Sequence, residues 1–161
     1  MRVAVFPNPY VGGNDVLCVL SPGQDDIEVA AQKTLGDNDI PYMIVEEGQI
    51  PNGGPLVNAM TVDVSGSEPV FGFDVPEAKV LSTNINIGYW QLQSNEALAE
   101  LNMSDYQLLV ALSTPESQRT DEQQAAVDAI NEINTLQMQT QDQINAATTG
   151  EELLTILSQL G

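Results

Sequence analysis

The sequence predicts an α+β protein in which a small N-terminal α/β unit precedes a helical C-terminal part. Residues 16–80 contain several short apolar runs that are typical of strands and one segment whose apolar residues recur at helical spacing. Turn residues separate these segments. After about residue 93 the chain becomes rich in Ala, Leu and Gln at helical spacing. We therefore predict two domains, residues 1–92 and 93–161, a division that suits a chain of 161 residues.

The N-terminal unit is predicted to begin with a β-hairpin. Residues 2–6 form a strand that Pro7 ends, and the apolar run at residues 16–20 gives its partner strand. Residues 12–15 have the Gly, Asn and Asp that are typical of the turn between two such strands.

A helix and a third strand follow the hairpin. Asp25 and Asp26 place carboxylates at the positive end of a helix that Gly36 ends. The apolar residues of this segment recur at helical spacing, at Ile27, Ala30, Ala31 and Leu35. Residues 43–45 are β-branched or apolar and predict the third strand.

A second hairpin and the beginning of a further helix complete the N-terminal unit. Residues 56–64 and 70–75 alternate as two strands joined by a turn. Pro76 stands at a first helical position, and Asp74 before it predicts the helix N-cap. Residues 84–89 read Asn-Ile-Asn-Ile-Gly-Tyr, and this alternation predicts a further strand.

The C-terminal part is predicted to be helical throughout. Ser94 and Ser104 stand where the N-caps of two short helices are expected. A terminal helix over about residues 150–160 has an apolar face that must be buried. Its members are Leu153, Leu154, Ile156, Leu157 and Leu160.

Between these helices, a long helix over about residues 120–147 carries an apolar stripe. It begins with a predicted capping box of Thr120 and Gln123. The stripe follows heptad spacing and consists of Ala126, Ile130, Ile133, Gln137, Thr140, Ile144 and Ala147, of which Gln137 and Thr140 are polar. Two alternatives remain for this stripe, because it can pack on its own domain or contact another chain.

The charge balance limits the classes of partner. Four basic residues oppose 23 acidic ones, and the formal net charge is −19. Such a charge repels nucleic acid phosphates and anionic lipid, so we expect neither nucleic acid nor membrane binding. The acidic surface indicates either a basic protein partner or solubility alone.

The sequence holds little catalytic chemistry. It has no histidine, and Cys18 is its one cysteine, so neither a histidine-based triad nor a cysteine–histidine zinc site is expected. No glycine-rich phosphate loop precedes a lysine. We expect no catalytic residue, cofactor or metal site, and an acidic enzyme that uses paired carboxylates is a remote alternative.

Features of the chain ends and apolar runs predict a cytoplasmic location. The chain has no run of 18 apolar residues that would predict a transmembrane helix, and the apolar segment at the N-terminus is too short and too quickly interrupted for a signal peptide.

Tyr89 and Trp90 are expected to anchor a core or an interface rather than to bind sugar.

The order of several short motifs resembles a known family. Ile40-Pro41-Tyr42 precedes Ile44-Val45, and Ile50-Pro51 follows. The next motifs are Asn58-Ala59-Met60, the Ser65-Gly66 turn, Phe73-Asp74 and Pro76-Glu77-Ala78-Lys79. This order over residues 16–80 resembles the small bacteriophage tail proteins known as tail-fibre assembly chaperones.

The resemblance implies a noncatalytic protein that assembles or attaches tail fibres through protein–protein contacts. Its expected partner is a tail fibre or other virion protein, and its expected place is the virion tail or the host cytoplasm during assembly. Another virion role, as a capsid cement, neck or baseplate component, is the alternative. The C-terminal helices could also form a homo-oligomer. Candidate interface residues are Tyr89, Trp90, Ala126, Ile130, Ile133, Ile144, Leu153, Leu157 and Leu160.

Overall fold

The computed structural model describes residues 1–8, 16–23 and 26–160 and confirms the α+β class. Its contacts divide the chain into two units. The first combines residues 1–81 with residues 148–155, and the second combines residues 82–147 with residues 156–161. These extents differ from the predicted 1–92 and 93–161.

The first unit contains a three-stranded sheet with the strand order β2-β1-β3. Strands β2 (Leu17–Leu20) and β3 (Met43–Glu46) both pair antiparallel with the central strand β1 (Arg2–Pro7). They are therefore parallel to each other, and helix α1 (Ile27–Thr34) joins them as a split β-α-β unit. The three predicted strands and the helix are confirmed, while the predicted turn at 12–15 lies outside the described residues.

Helix α1 begins at a side-chain cap. The Asp26 carboxylate accepts a hydrogen bond from the Glu28 backbone N–H at 2.9 Å. The hydrogen bonds from Glu28 hold the pKa of Asp26 below its ordinary value. Asp25, the other predicted capping carboxylate, lies outside the described residues. The helix ends where the Leu35 N–H bonds to the Ala31 carbonyl.

Strand β1 is covered on both faces because successive side chains point to opposite sides of a sheet. Ala4 packs with the buried face of α1, formed by Ile27, Ala31 and Leu35. Val3 and Val5 point the other way, into a cluster that also contains Val45 and Val62. The first unit therefore has two small apolar clusters, one on each face of its sheet.

The second hairpin is confirmed, with one correction. Strands β4 (Met60–Asp63) and β5 (Val70–Phe73) pair antiparallel. The predicted strand from residue 56 is wrong at its beginning, since Gly54–Ala59 is a 3₁₀ helix. Leu56 and Ala59 are both fully buried, and their spacing of three matches a helix of three residues per turn.

Gly150 packs closely against the second hairpin. A methyl group there would stand 2.7 Å from Phe73 Cβ and closer still to the ring. Gly150→Ala gains up to about 1 kcal/mol of helix propensity, but overpacking costs about 1–3 kcal/mol. We expect a net loss of stability and a lower melting temperature in thermal denaturation.

Gly48→Ala is the matched control, because nothing lies within 4 Å of a methyl group at that position. If Gly150→Ala melts at or above the wild-type temperature while Gly48→Ala is neutral, the close packing against Phe73 is refuted.

The second unit is helical. Helix α2 (Val75–Glu100) begins in the first unit and ends in the second, and α3 (Asp105–Ser113) and α4 (Asp121–Ala146) follow it. A last helix, α5 (Gly150–Ser158), begins in the first unit and ends in the second, and it corresponds to the predicted terminal helix. The Asp74 carboxylate accepts from the Glu77 N–H at 3.2 Å, as the predicted N-cap requires.

Two predictions inside α2 are wrong. Residues 84–89 are helical rather than a strand, and Ser94 does not begin a helix. The Ser94 hydroxyl instead donates to the Trp90 carbonyl one turn earlier, at 2.9 Å, as mid-helix serines do. The predicted N-caps Ser104 and Thr120 are confirmed, each with a glutamine that completes a capping box. Among the described residues, no helix is long and apolar enough to cross a membrane.

Candidate protein-binding surface

The predicted interface residues lie on interior faces of the helices. Ala126 and Ile144 are fully buried, and Leu153, Leu157 and Leu160 are at most 8% exposed. Tyr89, Trp90, Ile130 and Ile133 are half-buried. All seven positions of the α4 stripe are buried or half-buried. This burial favours the first of the two alternatives that the sequence leaves open, in which the stripe packs on its own domain.

A polar contact joins α2 and α4. The Asn86 amide nitrogen donates to the Gln137 carbonyl at 3.3 Å and to Gln141 Oε1 at 3.2 Å. The Gln141 amide nitrogen in turn donates to Thr83 Oγ1 at 3.0 Å and to Asn145 Oδ1 at 3.2 Å. A polar network between apolar helices fixes their register, since any shift would leave its groups unpaired.

This polar contact is incompletely satisfied. Ser82 and Asn86 are both 0% exposed, and they share one line of α2 with Trp90 at a spacing of four. Within the described part of the chain, Ser82 Oγ, Asn86 Oδ1 and Trp90 Nε1 are buried without a hydrogen-bond partner. Each such group costs about 1–3 kcal/mol. These residues therefore contribute specificity of packing rather than stability.

Helix α3 exposes most of its apolar side chains. Tyr106 is 74% exposed, Leu109 61%, Leu112 48% and Val110 39%. At about 100° per residue, these four side chains cover roughly 160° of the helix circumference. We call them the α3 surface. A helix that is apolar on nearly all sides is normally buried, so the α3 surface has the character of a binding face.

The α3 surface continues into a groove between α3 and the first turn of α4. The groove has a volume of about 380 Å³. Met103, Tyr106 and Val110 supply its apolar lining, while Glu122 contributes a carboxylate. The remaining lining residues are Gln107, Thr120 and Gln123. The groove is thus a partly apolar depression whose lining includes a negative charge, and it lies within the second unit.

Both ends of α3 are fixed by side chains. At the start, the Ser104 backbone N–H and hydroxyl both donate to Gln107 Oε1, at 2.8 and 2.9 Å. At the end, Arg119 Nε donates to the carbonyls of Ala111 and Thr114, each at 3.0 Å. A guanidinium at a helix C-terminus is favoured by the helix dipole. Arg119 also donates to Gln124 of α4 at 3.2 Å, so α3 is held in place against α4.

The surroundings of the α3 surface are acidic. Residues 82–147 contain one basic side chain, Arg119, whose hydrogen bonds described above go to neutral oxygens. The same residues contain nine carboxylates, at Glu96, Glu100, Asp105, Glu116, Asp121, Glu122, Asp128, Glu132 and Asp142. The second unit, to which the α3 surface belongs, therefore has a net negative charge.

The titratable groups with shifted pKa values have local structural roles. Hydrogen bonds from the Thr148 and Thr149 backbone N–H groups hold the pKa of Glu152 below its ordinary value. Hydrogen bonds from the Ser65 side chain and backbone N–H do the same for the pKa of Asp63. Burial raises the pKa of the half-buried Cys18 thiol. No group of three or more metal-binding side chains occurs among the described residues.

Sequence reasoning predicted α3 but missed its exposed face. The available signal was the run Leu108-Leu109-Val110-Ala111-Leu112, which is too apolar on all sides for a nine-residue helix that packs on one side only. Comparisons of the chain with family models, curated proteins and solved structures gave no significant match. The resemblance of residues 16–80 to phage tail proteins therefore stays a prediction.

Proposed function

We propose that the protein is a noncatalytic bacteriophage tail protein that assembles or attaches tail fibres by binding another protein through the α3 surface. The exposure of four large apolar side chains on one nine-residue helix is the observation that supports binding. The motif order in residues 16–80 supports the tail-fibre role.

The size of the α3 surface favours a reversible contact. Full burial of one such side chain contributes about 1.5–3 kcal/mol, but these four are already partly buried, so covering their exposed fractions contributes on the order of 3–7 kcal/mol. The freedom lost on association costs about 4–15 kcal/mol. Because these terms are similar, the α3 surface alone gives modest affinity. An assembly factor must release its client, whereas a permanent virion component must not. A modest affinity is therefore more compatible with an assembly factor.

Co-purification with the tail-fibre subunit tests the proposal. The full chain is co-expressed with the fibre subunit of the phage that encodes it, and the complex is measured by size-exclusion chromatography. We expect a complex with the wild-type chain and about a tenfold or greater loss of affinity for Leu109→Asp, because a carboxylate would be buried at the centre of the contact. Val57→Asp, at a 54% exposed position of the first unit, is the matched control.

Mass spectrometry of purified particles separates the remaining roles. An assembly factor is absent from mature particles or present in traces, and an attachment protein is present at a fixed ratio to the fibre. A protein found in many copies on the capsid, with no fibre complex in solution, would contradict the proposal in favour of a cement role.

A further inference from the structure

We propose that the occupant of the α3 surface is a short amphipathic helix whose apolar stripe is flanked by Lys or Arg side chains. The inference deepens the proposed function by naming the chemistry of the partner segment, and it rests on that function only in assuming that a protein partner exists. It concerns a helix of another protein and excludes a second copy of this chain as the occupant.

The shape of the site fits a helix. Tyr106 and Val110 lie one turn apart on α3 and, with Met103, form the apolar lining of the groove beside α4. Leu109 and Leu112 extend the apolar face outside the groove. A helix that lies along such a face inserts apolar side chains at spacings of three and four. The nine residues of α3 extend over about 13 Å, which matches two to three turns of a partner helix.

The charge around the site selects a basic partner. Exposed carboxylates stand at both ends of α3, at Asp105 and Glu116, and Glu122 lies in the groove. Arg119, the nearby cation, donates its hydrogen bonds to Ala111, Thr114 and Gln124. Flanking Lys or Arg side chains on the partner would pair with these carboxylates, which adds to the rate and specificity of association.

The same charge disfavours self-association through α3. A second copy would place one acidic rim against another, and each chain has a formal net charge of −19. Like charges across an interface oppose association. A homodimer through α3 would bury the apolar side chains but would bring these carboxylates together, and residues 82–147 of each chain supply one cation, Arg119, against them.

Binding of designed peptides to the full chain tests the inference. The probe is a fluorescent 14-residue peptide with a leucine stripe and lysines at all other positions, measured by anisotropy. One comparison peptide replaces each lysine by glutamate, and another has the same leucine and lysine composition in scrambled order. We expect the leucine–lysine peptide to bind about tenfold or more tightly than either comparison peptide, since both the stripe and the charge are required.

Variants locate the binding. Leu109→Ser, with an unchanged circular dichroism spectrum, is expected to lower the affinity for the leucine–lysine peptide about tenfold. Glu122→Gln should lower this affinity a few-fold and make it less dependent on salt concentration. Val57→Ser, at an exposed position of the first unit, should leave binding unchanged.

Four results would overturn the inference: no peptide binds, the scrambled peptide binds equally, the glutamate peptide binds equally, or Leu109→Ser has no effect. Sedimentation showing a wild-type dimer that Leu109→Ser dissociates would also overturn it, with a second copy as the occupant. None of these results contradicts a tail-fibre role, which the co-purification of the fibre subunit tests separately.

Discussion

Ile144→Asp is expected to unfold the second unit. Ile144 is 0% exposed, so its replacement would bury a carboxylate away from water. Burial of an unpaired charge costs several kcal/mol, on top of the about 2–5 kcal/mol lost with the aliphatic side chain. The sum approaches the whole stability of a typical domain, about 5–15 kcal/mol. Far-UV circular dichroism should show a large loss of helix at neutral pH.

Met138→Asp is the matched control for this change. Met138 lies on the same helix and is 68% exposed, so its replacement leaves the carboxylate in water. We expect a shift in stability within about 0.5 kcal/mol, as for most surface substitutions. Equal and small effects of both substitutions would mean that the α4 stripe is not an interior face.

The elements that the sequence predicted well begin with local signals. Asp26, Ser104 and Thr120 accept hydrogen bonds from backbone N–H groups within three residues, so each helix start is encoded by neighbours in the chain. The strand at residues 2–7 is a short continuous apolar run because both of its faces contact apolar clusters. Such features depend on a few adjacent residues, so local sequence patterns find them.

The elements that the sequence missed depend on distant residues. Residues 84–89 alternate as a strand would, yet Asn86 is held by Gln141, which is 55 positions away. Tertiary contacts of this kind override local preference. The exposed face of α3 is a similar case, because the sequence gives its apolar content but not which neighbours are present to cover it.

Asn86→Asp is expected to make the stability of the second unit strongly dependent on pH. Asn86 is 0% exposed, and its amide nitrogen donates to two oxygens, those of Gln137 and Gln141. The substitution keeps the shape of the side chain but directs a carboxylate at these acceptors. Desolvation then disfavours the charged form, so the pKa of the new carboxyl in the folded state lies above its unfolded value of about 3.9.

The sign of the pH effect follows from this raised pKa. The protonated carboxyl can donate a hydrogen bond as the amide did, so stability is retained below pH ~4. It is lost as pH rises through the folded-state pKa, and at neutral pH the variant should be less stable than the wild type by several kcal/mol. Urea unfolding at pH 4 and pH 7 measures this, with the wild type as reference because its own carboxylates also titrate.

Asn86→Leu separates the cost of charge from the loss of the amide. It removes two hydrogen bonds worth about 1 kcal/mol each, but it also removes Asn86 Oδ1, which has no partner among the described residues. The two effects oppose each other, because the lost bonds destabilise the fold while the loss of the unpaired oxygen removes a desolvation cost of about 1–3 kcal/mol. We therefore expect Asn86→Leu to change stability by about 1 kcal/mol or less at both pH values. If Asn86→Asp loses no more stability at pH 7 than at pH 4, the carboxylate reaches water. The buried polar contact between α2 and α4 would then be disproved.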